Sequence, residues 1–371
     1  MRILHLSAVR NWGGGEKHIE NLCLEMAKNH PEVFNIILCR KGSLFEQSLI
    51  KQNLKHYTSP VFTNFDFRYA LKIISVCKKE NIDLIHIHDP KALALAVAID
   101  KFKDLPPFIF SKKTSFPIRS RRQTLYKYNY PKIKKILCVS EATREISLAA
   151  LDHHERLEVI YHGTSLKNKD TKPPFLIANK YNLPDDAVII GNIANHIEAK
   201  NLETLVQTAN YLVNQKKQKN LYFFQVGNFS QETKTLKNLV RELGLENHIF
   251  FTGYIPEASA FIPQFDMMLL TSESEGIPQV IYESFYYNVP VVSTNVGGIP
   301  EVIENNVNGL LNDPYDHKGL GENLLFLIEN PQVIPNFAKI SREKLFKHFT
   351  SRIMAGKTLE AYKNTLNGRL H

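Results

Sequence analysis

The sequence is poor in cysteine and has no long hydrophobic segment. Its 371 residues include only four cysteines, Cys23, Cys39, Cys77 and Cys138, and no two of them form a CxxC pair. We therefore expect reduced, buried thiols in a cytoplasmic protein. The longest uncharged apolar run, Ala92 to Ile99, is far shorter than the ~20 residues of a membrane-spanning helix. The short apolar start of the chain does not have the length of a signal peptide, so we expect neither secretion nor a membrane span.

Several common active-site motifs are also absent. No G-x-G-x-x-G follows the first predicted strand, which disfavours a dinucleotide site. Gly356-Lys357-Thr358 resembles the end of a phosphate-binding P-loop, but Ser351 stands where that motif needs its first glycine. There is no G-x-S-x-G, no Asp-x-Asp pair to hold a divalent metal against a diphosphate, and no Cys/His spacing of a structural zinc site. We therefore expect no metal and no cofactor.

Charge and composition describe an ordinary globular protein with a basic excess. Hydrophobic residues make up 43% and charged residues 22%, which excludes wholesale disorder, collagen and coiled coil. Lys and Arg outnumber Asp and Glu by 46 to 37, a net charge of +9. This excess favours acidic partners such as phosphates or anionic lipid. Nucleic acid is not expected as a partner, because no reader motif accompanies the charge.

Apolar runs of strand length alternate with helical stretches along the whole chain. This alternation predicts parallel sheets covered by helices, built from βαβ units. Residues 167–185 form a linker that starts with a polar stretch containing two prolines, and they separate two similar α/β halves, 1–166 and 186–345, followed by a helix in 346–371. Ligands of such Rossmann-like folds bind at the carboxyl ends of strands, so we expect a site between two domains.

The stretch from Thr271 to Asp313 combines two glutamates with a predicted helix start. Glu275 lies in the loop after a predicted strand, and Glu283 lies about one turn inside the next helix, which Pro278 is suited to begin. Free N–H groups at that helix start would suit a phosphate. A carboxylate accepts two hydroxyl hydrogen bonds at once, as a sugar or ribose diol requires. The structural alternative is that Glu275 caps the helix and Glu283 is a solvated charge.

Longer motifs around these glutamates resemble a known family. Three motifs look like the donor-binding region of retaining family 4 glycosyltransferases. They are Ser-Glu-Ser-Glu-Gly-Ile-Pro-Gln-Val-Ile-Tyr-Glu (272–283), a second glycine turn at Gly297-Gly298, and Asn308-Gly309-Leu310-Leu311. Trp12-Gly13-Gly14-Gly15-Glu16 matches the glycine loop of that family, and His86-Ile87-His88-Asp89 matches a strand end that faces its cleft. The resemblance implies the GT-B fold: two Rossmann-like domains facing each other across a cleft, with a C-terminal helix that packs back on the N-terminal domain.

The resemblance also implies that the two domains bind different substrates. The domain 1–166 would hold the acceptor, and the domain 186–345 would bind a nucleoside-diphosphate sugar. Glu283 would bind the ribose, Glu275 the sugar hydroxyls, and Lys200 the diphosphate, where a fixed ammonium replaces a metal. The acceptor hydroxyl would attack from the face that the nucleoside diphosphate leaves, with retention of configuration. The acceptor is expected to be a glycan or a lipid-linked sugar of a surface polysaccharide or glycolipid.

Site residues carried over from the family fall into three groups. The catalytic residues are Glu275 and Lys200; the donor-binding residues are Glu283, Gly276, Ile277, Pro278, Gly14, Gly15 and Asn195; the acceptor-side residues are His88, Lys113 and Glu16. Two of these positions depart from the family pattern. Asn195 stands where the family usually has an arginine, and Lys112 or Lys113 stands where many members have a histidine.

The segment from Lys112 to Lys135 is rich in basic and aromatic residues. It contains nine Lys or Arg residues and no acidic residue, with Phe116, Tyr126, Tyr128 and Tyr130 among them. Such a segment suits an anionic membrane surface, so peripheral attachment to the inner face of the plasma membrane is one hypothesis. A solvated acceptor-domain surface is an equally weighted alternative.

Other interpretations stay open at this stage. His86, His88 and Asp89 have the chemistry of metal ligands, although residues that line a cleft at a strand end are the favoured interpretation. A nucleotide-sugar epimerase of similar fold is the nearest enzymatic alternative to a transferase. A non-catalytic nucleotide-sugar-binding protein is the alternative from another class, supported by the missing arginine at Asn195.

Overall fold

The chain folds into two compact units, seen in a computed structural model that describes residues 1–10, 13–62, 66–165 and 172–368. The first unit comprises 1–165 together with 348–371, and the second comprises 166–347. Trp12 and the predicted linker residues 167–171 lie outside the described residues.

A parallel sheet of seven strands forms the centre of the first unit, in the order β3-β2-β1-β4-β5-β6-β7. The central strands β1, β4 and β5 are buried on both faces. Each strand is joined to the next by a helical crossover, which is the arrangement that the alternating pattern predicts. The strand order reverses between β1 and β4, so the topological switch point lies at their carboxyl ends. The strands are β1 (Arg2–Leu6), β2 (Phe34–Arg40), β3 (His56–Ser59), β4 (Leu84–Ile87), β5 (Phe108–Lys112), β6 (Ile133–Cys138) and β7 (Leu157–Val159).

Six helices of the first unit accompany these strands in the chain. Four of them begin at Ser or Asp N-caps whose side chains accept from the first turn. For example, the Ser43 side chain accepts from Glu46 N–H, and the Ser140 side chain accepts from Thr143 N–H. The helices are α1 (Gly14–Asn29), α2 (Leu44–Lys51), α3 (Phe67–Glu80), α4 (Pro90–Asp100), α5 (Arg122–Tyr128) and α6 (Glu141–Leu148).

The second unit repeats the architecture with six parallel strands, in the order β10-β9-β8-β11-β12-β13. Its order reverses between β8 and β11, which places the second switch point at their carboxyl ends. The strands are β8 (Val188–Ile193), β9 (Leu221–Val226), β10 (Ile249–Phe251), β11 (Met267–Leu270), β12 (Val291–Thr294) and β13 (Leu310–Asn312). The helices are α7 (Ile177–Tyr181), α8 (Leu202–Asn210), α9 (Glu232–Glu242), α10 (Gln279–Tyr286), α11 (Ile299–Val302), α12 (His317–Glu329) and α13 (Ile334–His348).

The last helix, α14 (Ser351–Asn367), belongs to the first unit. It packs beside α1, where Met354, Leu359 and Tyr362 share a buried cluster with Leu22 and Met26. The expected return of the C-terminal helix to the N-terminal half is therefore confirmed. This packing also places the Tyr362 hydroxyl beneath the first sheet, 2.6 Å from His86 Nδ1.

Two further expectations concern cysteines and membrane spans. All four cysteines are free thiols; three are buried, while Cys77 is only partly buried. Among the helices of the described ranges, none combines the length and the apolar character that crossing a bilayer requires.

Candidate functional site

Lys200 and Glu275 meet at the switch point of the second sheet. Lys200 follows β8 and Glu275 follows β11, and the Lys200 ammonium donates a hydrogen bond directly to Glu275 Oε1. Ser272 Oγ donates to the same oxygen at 2.6 Å. Both side chains are mostly buried, with exposed fractions of 23% for Lys200 and 11% for Glu275. The structure therefore brings the two predicted catalytic residues into one ion pair.

Hydrogen bonds between loops hold this pair in place. Thr271 Oγ1 donates to the Lys200 carbonyl at 3.0 Å, and Glu273 N–H donates to the Ala199 carbonyl at 3.0 Å. These two bonds tie the loop after β8 to the loop after β11. The positions of Lys200 and Glu275 are consequently fixed by backbone anchors and not only by their own attraction.

The glycine turn before α10 is built against the next loop of the sheet. Gly298 N–H donates to the Gly276 carbonyl at 2.9 Å, and Thr294 Oγ1 donates to the Ser272 carbonyl at 2.6 Å. Gly276 and Ile277 are buried, and Pro278 occupies the N-cap position of α10 with φ −66°. No described side chain caps this helix start, so its first N–H groups are suited to an anion.

Two further residues of α10 bear on the site. Glu283 lies a little more than one turn inside the helix and is partly buried. Gln279, the first residue of the helix, has a carboxamide whose nitrogen and oxygen are both buried without a hydrogen-bond partner among the described residues. Sequence analysis missed Gln279, because an amide at a helix start carries no motif; only its burial reveals it.

Asn195 serves a structural purpose in the second unit. Its Oδ1 accepts from Asn228 N–H and from Asn228 Nδ2, each at 3.0 Å. The residue thus joins the loops after β8 and β9. The next residue, His196, is buried and bonded to Gln225 Oε1 at 2.8 Å and Thr233 Oγ1 at 2.9 Å. The assignment of Asn195 to donor binding remains a prediction.

A second group of site residues surrounds the glycine turn at the start of α1. Gly13 occupies the N-cap position with no side-chain cap among the described residues, and Gly14 begins the helix. Lys113 Nζ donates to the Gly15 carbonyl at 2.9 Å. Burial raises the pKa of Glu16, and the nearby Lys113 opposes this rise. Burial also lowers the pKa of Lys113 to about 8, against the pull of Glu16 and Asp89.

Five histidines lie beside this group. His5, His86 and His88 share one face of the sheet at β1 and β4, and His18 of α1 and His162 approach them, with ring centroids 6.0 Å apart for His18–His88 and 4.1 Å for His18–His162. Burial lowers the pKa of each of them, to about 4 for His5 and about 3 for His162. All five are therefore neutral imidazoles at neutral pH.

The metal alternative keeps His86 and His88, but His5 stands in the place that the sequence suggested for Asp89. Asp89 is the N-cap of α4: its carboxylate accepts from Lys91 and Ala92 N–H at 2.9 Å and from Ala8 N–H at 2.8 Å. Within the described ranges, His5, His86 and His88 instead bring ligand nitrogens within 4.8 Å of one another. Both nitrogens of His86 are bonded, to Tyr362 and Ser111 hydroxyls, so this trio is organised as a hydrogen-bonded network.

The basic segment from Lys112 to Lys135 divides into bonded and exposed residues. Lys112 is buried and bonded to the Phe116 carbonyl, while Lys132 and Lys135 form ion pairs with Asp100 and Glu158. Lys134 of β6 is exposed. Around the start of α5, the exposed basic and aromatic residues are Phe116, Arg119, Arg121, Arg122 and Tyr126. We call these five residues the α5 patch.

Comparison with known proteins assigns the family. The family model described as "Glycosyltransferase Family 4" matches residues 12–168, and the model described as "Glycosyl transferases group 1" matches residues 175–344. The two matches follow one another along most of the chain and coincide with its two sheet-centred units. The chain therefore belongs to the family 4 type of GT-B glycosyltransferases.

Individual relatives agree with this assignment. The chain is 22% identical over 327 residues to N-acetyl-alpha-D-glucosaminyl L-malate synthase of Bacillus anthracis, covering 85% of each chain. It is 26% identical over 220 residues to the O-antigen biosynthesis glycosyltransferase WclY of Escherichia coli, covering 56% of this chain and 55% of WclY. The crystal structure of Anabaena HepE in complex with UDP-glucose superimposes with a TM-score of 0.84 at 20% identity, over 98% of this chain and all of HepE. The chain is thus a glycosyltransferase with the GT-B fold, as predicted.

Proposed function

We propose that this chain is a retaining glycosyltransferase that moves a sugar from a nucleoside-diphosphate sugar to a glycan or lipid-linked acceptor without a metal ion. The observation that carries the proposal is the Lys200–Glu275 pair at the second switch point, next to the uncapped start of α10. Two related features support it: relatives that act in O-antigen synthesis and a structural neighbour that binds UDP-glucose. Surface polysaccharide or glycolipid synthesis is the setting that these relatives favour.

The ion pair suggests how a donor is received. A diphosphate offers Lys200 more negative charge than one carboxylate does, so the ammonium turns from Glu275 to the diphosphate oxygens. Glu275 is then free to accept hydrogen bonds from sugar hydroxyls, with Ser272 holding one of its oxygens. Lys200 and the N–H groups at the α10 start stabilise the negative charge that grows on the leaving group.

The transfer itself needs no side-chain nucleophile in this proposal. The bond between the anomeric carbon and the phosphate oxygen breaks, and its electron pair stays on the nucleoside diphosphate. The acceptor hydroxyl oxygen bonds to the same face of the anomeric carbon, and its proton passes to the departing phosphate oxygen. Configuration is retained because attack and departure share one face.

The donor half of the proposal is tested by ligand-induced thermal stabilisation. UDP, GDP, ADP, CDP and TDP are compared at 1 mM, with magnesium and with EDTA, on the wild type and on Glu283→Ala. One nucleotide should raise Tm with or without magnesium, because a ligand that binds only the folded state stabilises it. The rise should be lost in Glu283→Ala but kept in the control Glu329→Ala, whose exposed glutamate lies at the end of α12.

Product analysis then separates the transferase from its alternatives. Incubation of the identified donor sugar with acceptor glycolipid should give a new glycoside whose anomeric coupling matches that of the donor. Interconversion of the free nucleotide sugar without acceptor would show an epimerase instead. No thermal shift with any nucleotide would contradict the donor site and favour a non-catalytic binding protein.

We also propose that the α5 patch attaches the enzyme to an anionic membrane. Its three arginines are exposed, and Phe116 and Tyr126 are 50% and 48% exposed, a combination that suits a lipid headgroup layer. Each basic residue near such a surface contributes ~1 kcal/mol to the free energy of membrane binding.

Replacing Arg119, Arg121 and Arg122 by Gln should abolish sedimentation with phosphatidylglycerol vesicles. Replacing Lys219, Lys234 and Arg241, which are exposed on the second unit, should not. An equal loss of vesicle sedimentation in both variants would mean that the net charge of the protein, and not the α5 patch, determines membrane binding.

A further inference from the structure

A chain of three polar side chains runs along the first sheet, from β2 through β1 to the end of β4. His5 Nε2 lies 2.9 Å from Asn35 Oδ1, and His5 Nδ1 lies 2.9 Å from His88 Nε2. Parallel register brings these residues side by side, because His5 is paired with Ile37 of β2 and with His86 of β4. The sequence separates them by 30 and 83 positions, so only the fold creates the chain.

The direction of these hydrogen bonds follows from Asn35. Asn35 Nδ2 points at the Val33 carbonyl at 3.4 Å, which leaves Oδ1 as an acceptor for His5. His5 Nε2 must then carry a hydrogen, and a neutral imidazole carries only one. His5 Nδ1 is therefore a bare acceptor, so His88 Nε2 carries the hydrogen between the two rings. It follows that His88 Nδ1 has a lone pair and no hydrogen.

That lone pair is buried and has no partner in the described part of the protein. His88 is 5% exposed, and its Nδ1 makes no hydrogen bond to a described residue. Burial of an acceptor without a donor destabilises the protein, because the acceptor has lost its hydrogen bonds to water. A bare ring nitrogen accepts only from an O–H or N–H group, so this position calls for a hydroxyl or an amide donor.

The charged and titratable groups around His88 fit a neutral, hydroxyl-rich ligand. Lys113 lies close enough to act on it electrostatically, and the next residue, Asp89, has a carboxylate that is already used by three backbone N–H groups. Glu16 adds a second carboxylate next to Lys113, and His5, His18, His86 and His162 are uncharged neighbours. The surroundings carry both signs of charge and do not select an anion, while the Gly13–Gly15 turn lets a ligand approach the backbone closely.

We propose that Asn35 and His5 are positioning residues that hold His88 with a bare Nδ1, and that this nitrogen accepts a hydrogen bond from a hydroxyl group of the sugar acceptor. The inference rests on the proposed function for the identity of the ligand. The tautomer itself is a property of the free protein. His88 orients the hydroxyl and takes no proton, because the departing phosphate oxygen accepts it.

The tautomer is tested on the free, full-length protein labelled with ¹⁵N-histidine. Long-range ¹H–¹⁵N correlations should show a protonated Nε2 and a bare Nδ1 for His88, whose signals are assigned by their loss in His88→Asn. In Asn35→Leu the His5 ring loses its acceptor, so the His88 tautomer should shift toward protonated Nδ1. A protonated Nδ1 in the wild type, or an unchanged tautomer in Asn35→Leu, would overturn the proposal.

Ligand recognition is tested by a matched pair of substitutions with the donor and acceptor found by product analysis. His88→Gln keeps an N–H donor toward His5 but has no acceptor at the Nδ1 position, whereas His88→Asn places its amide oxygen there. The acceptor KM should rise about tenfold in His88→Gln, the loss of one buried hydrogen bond, and much less in His88→Asn. The donor KM should stay unchanged in both, and in the control His56→Gln at the sheet edge.

The two experiments distinguish a failure of the His88 proposal from a failure of the proposed function. An unchanged acceptor KM in His88→Gln, or an equal loss in both variants, would reduce His88 to a structural residue. If the wild type transfers no sugar, the proposed function fails, while the NMR result still decides whether the Asn35–His5–His88 chain sets the tautomer.

Discussion

At the scale of single residues, Lys200 and Glu275 neutralise each other in the free protein. The pair is mostly buried and bonded directly, and Ser272 adds a bond to Glu275. Because the charges compensate each other, the free enzyme holds both groups near the switch point without leaving either one unpaired. In the proposed mechanism, donor binding would exchange this pairing for one between Lys200 and the diphosphate, so that a single site would hold opposite charges for different parts of one substrate.

This arrangement predicts different effects of Lys200→Met on activity and on stability. The rate of nucleotide release from the donor sugar should fall 10²- to 10³-fold, since removal of one charge-stabilising donor typically has that effect. The free energy of unfolding should fall by about 3 kcal/mol, because the mostly buried Glu275 carboxylate loses its counter-charge. Initial rates and urea denaturation measure the two quantities, with Lys219→Met as the exposed control. A rate within a factor of three of wild type would remove Lys200 from the mechanism.

The residues around Lys200 and Glu275 were easier to predict from the sequence than the hydrogen-bond partners of the histidines around His88. Glu275, Glu283 and Lys200 belong to local motifs, and the structure pairs Lys200 with Glu275, while their roles in donor binding stay predictions. The bond between Asn35 and His5 depends on the register of neighbouring strands, and no local pattern encodes it. Gln279 is notable only because its amide is buried. Side-chain chemistry can thus be read from sequence, whereas side-chain partners require the fold.

At the scale of helices and strands, Asp89 links the end of β4 to the start of α4 and to the loop after β1. Its carboxylate accepts three backbone N–H groups, those of Ala8, Lys91 and Ala92. Burial raises its pKa, and these three bonds oppose the rise. One side chain therefore fixes both strands of the switch point to the helix that follows.

Asp89→Ala should lower the free energy of unfolding by about 3 kcal/mol. Loss of an N-cap accounts for about 1 kcal/mol, and the buried N–H groups left without an acceptor account for the rest. Asp316→Ala, which removes the exposed cap of α12, is the matched control and should lose about 1 kcal/mol. Urea denaturation of both variants measures the difference. Equal losses would mean that water satisfies the N–H groups beside Asp89.

Strands with a continuous apolar run were predicted, including the three-residue edge strand β10, whereas the edge strands β3, β7 and β13 were not. The apolar runs of β1, β4, β8, β9 and β11 stand out in the sequence, since these strands are buried on both faces. The edge strands β3, β7 and β13 have only three or four residues. Their alternation is too brief to distinguish them from loops. The fold class follows from the long elements alone.

At the scale of the whole molecule, the chain crosses from the first unit to the second and returns. Residues 348–371 rejoin the first unit, where Tyr362 donates to or accepts from His86 beneath the sheet. The histidine network thus includes a residue from the last helix, α14. The arrangement of the histidines therefore depends on the C-terminal segment that rejoins the first unit. The five buried histidines also make the stability of the first unit sensitive to acid.

We expect these histidines to lower the free energy of unfolding as the pH falls from 6.5 to about 4. In the unfolded chain each imidazole takes up a proton as the pH falls through 6.5, whereas burial lowers the folded pKa of His5 to about 4 and that of His162 to about 3. The unfolded state therefore binds more protons in this window, and stability falls as pH falls. For His5 alone the difference corresponds to about 3 kcal/mol. Above pH 6.5 these groups have no effect.

Other buried groups modify the curve in known directions. The raised pKa values of Glu16 and Asp89 make the folded state bind protons earlier, which opposes the loss at low pH. The lowered pKa of Lys113, about 8, acts only in the alkaline range.

Urea midpoints at half-unit intervals from pH 8 to pH 4.5 measure the net slope. His162→Asn should flatten the curve below pH 6.5 by up to about 1.4 kcal/mol per pH unit, the value for one proton. The exposed His153→Asn should leave the curve unchanged. A wild-type midpoint that stays constant from pH 7 to pH 5 would mean that the histidines exchange protons with solvent as freely in the folded state as in the unfolded one.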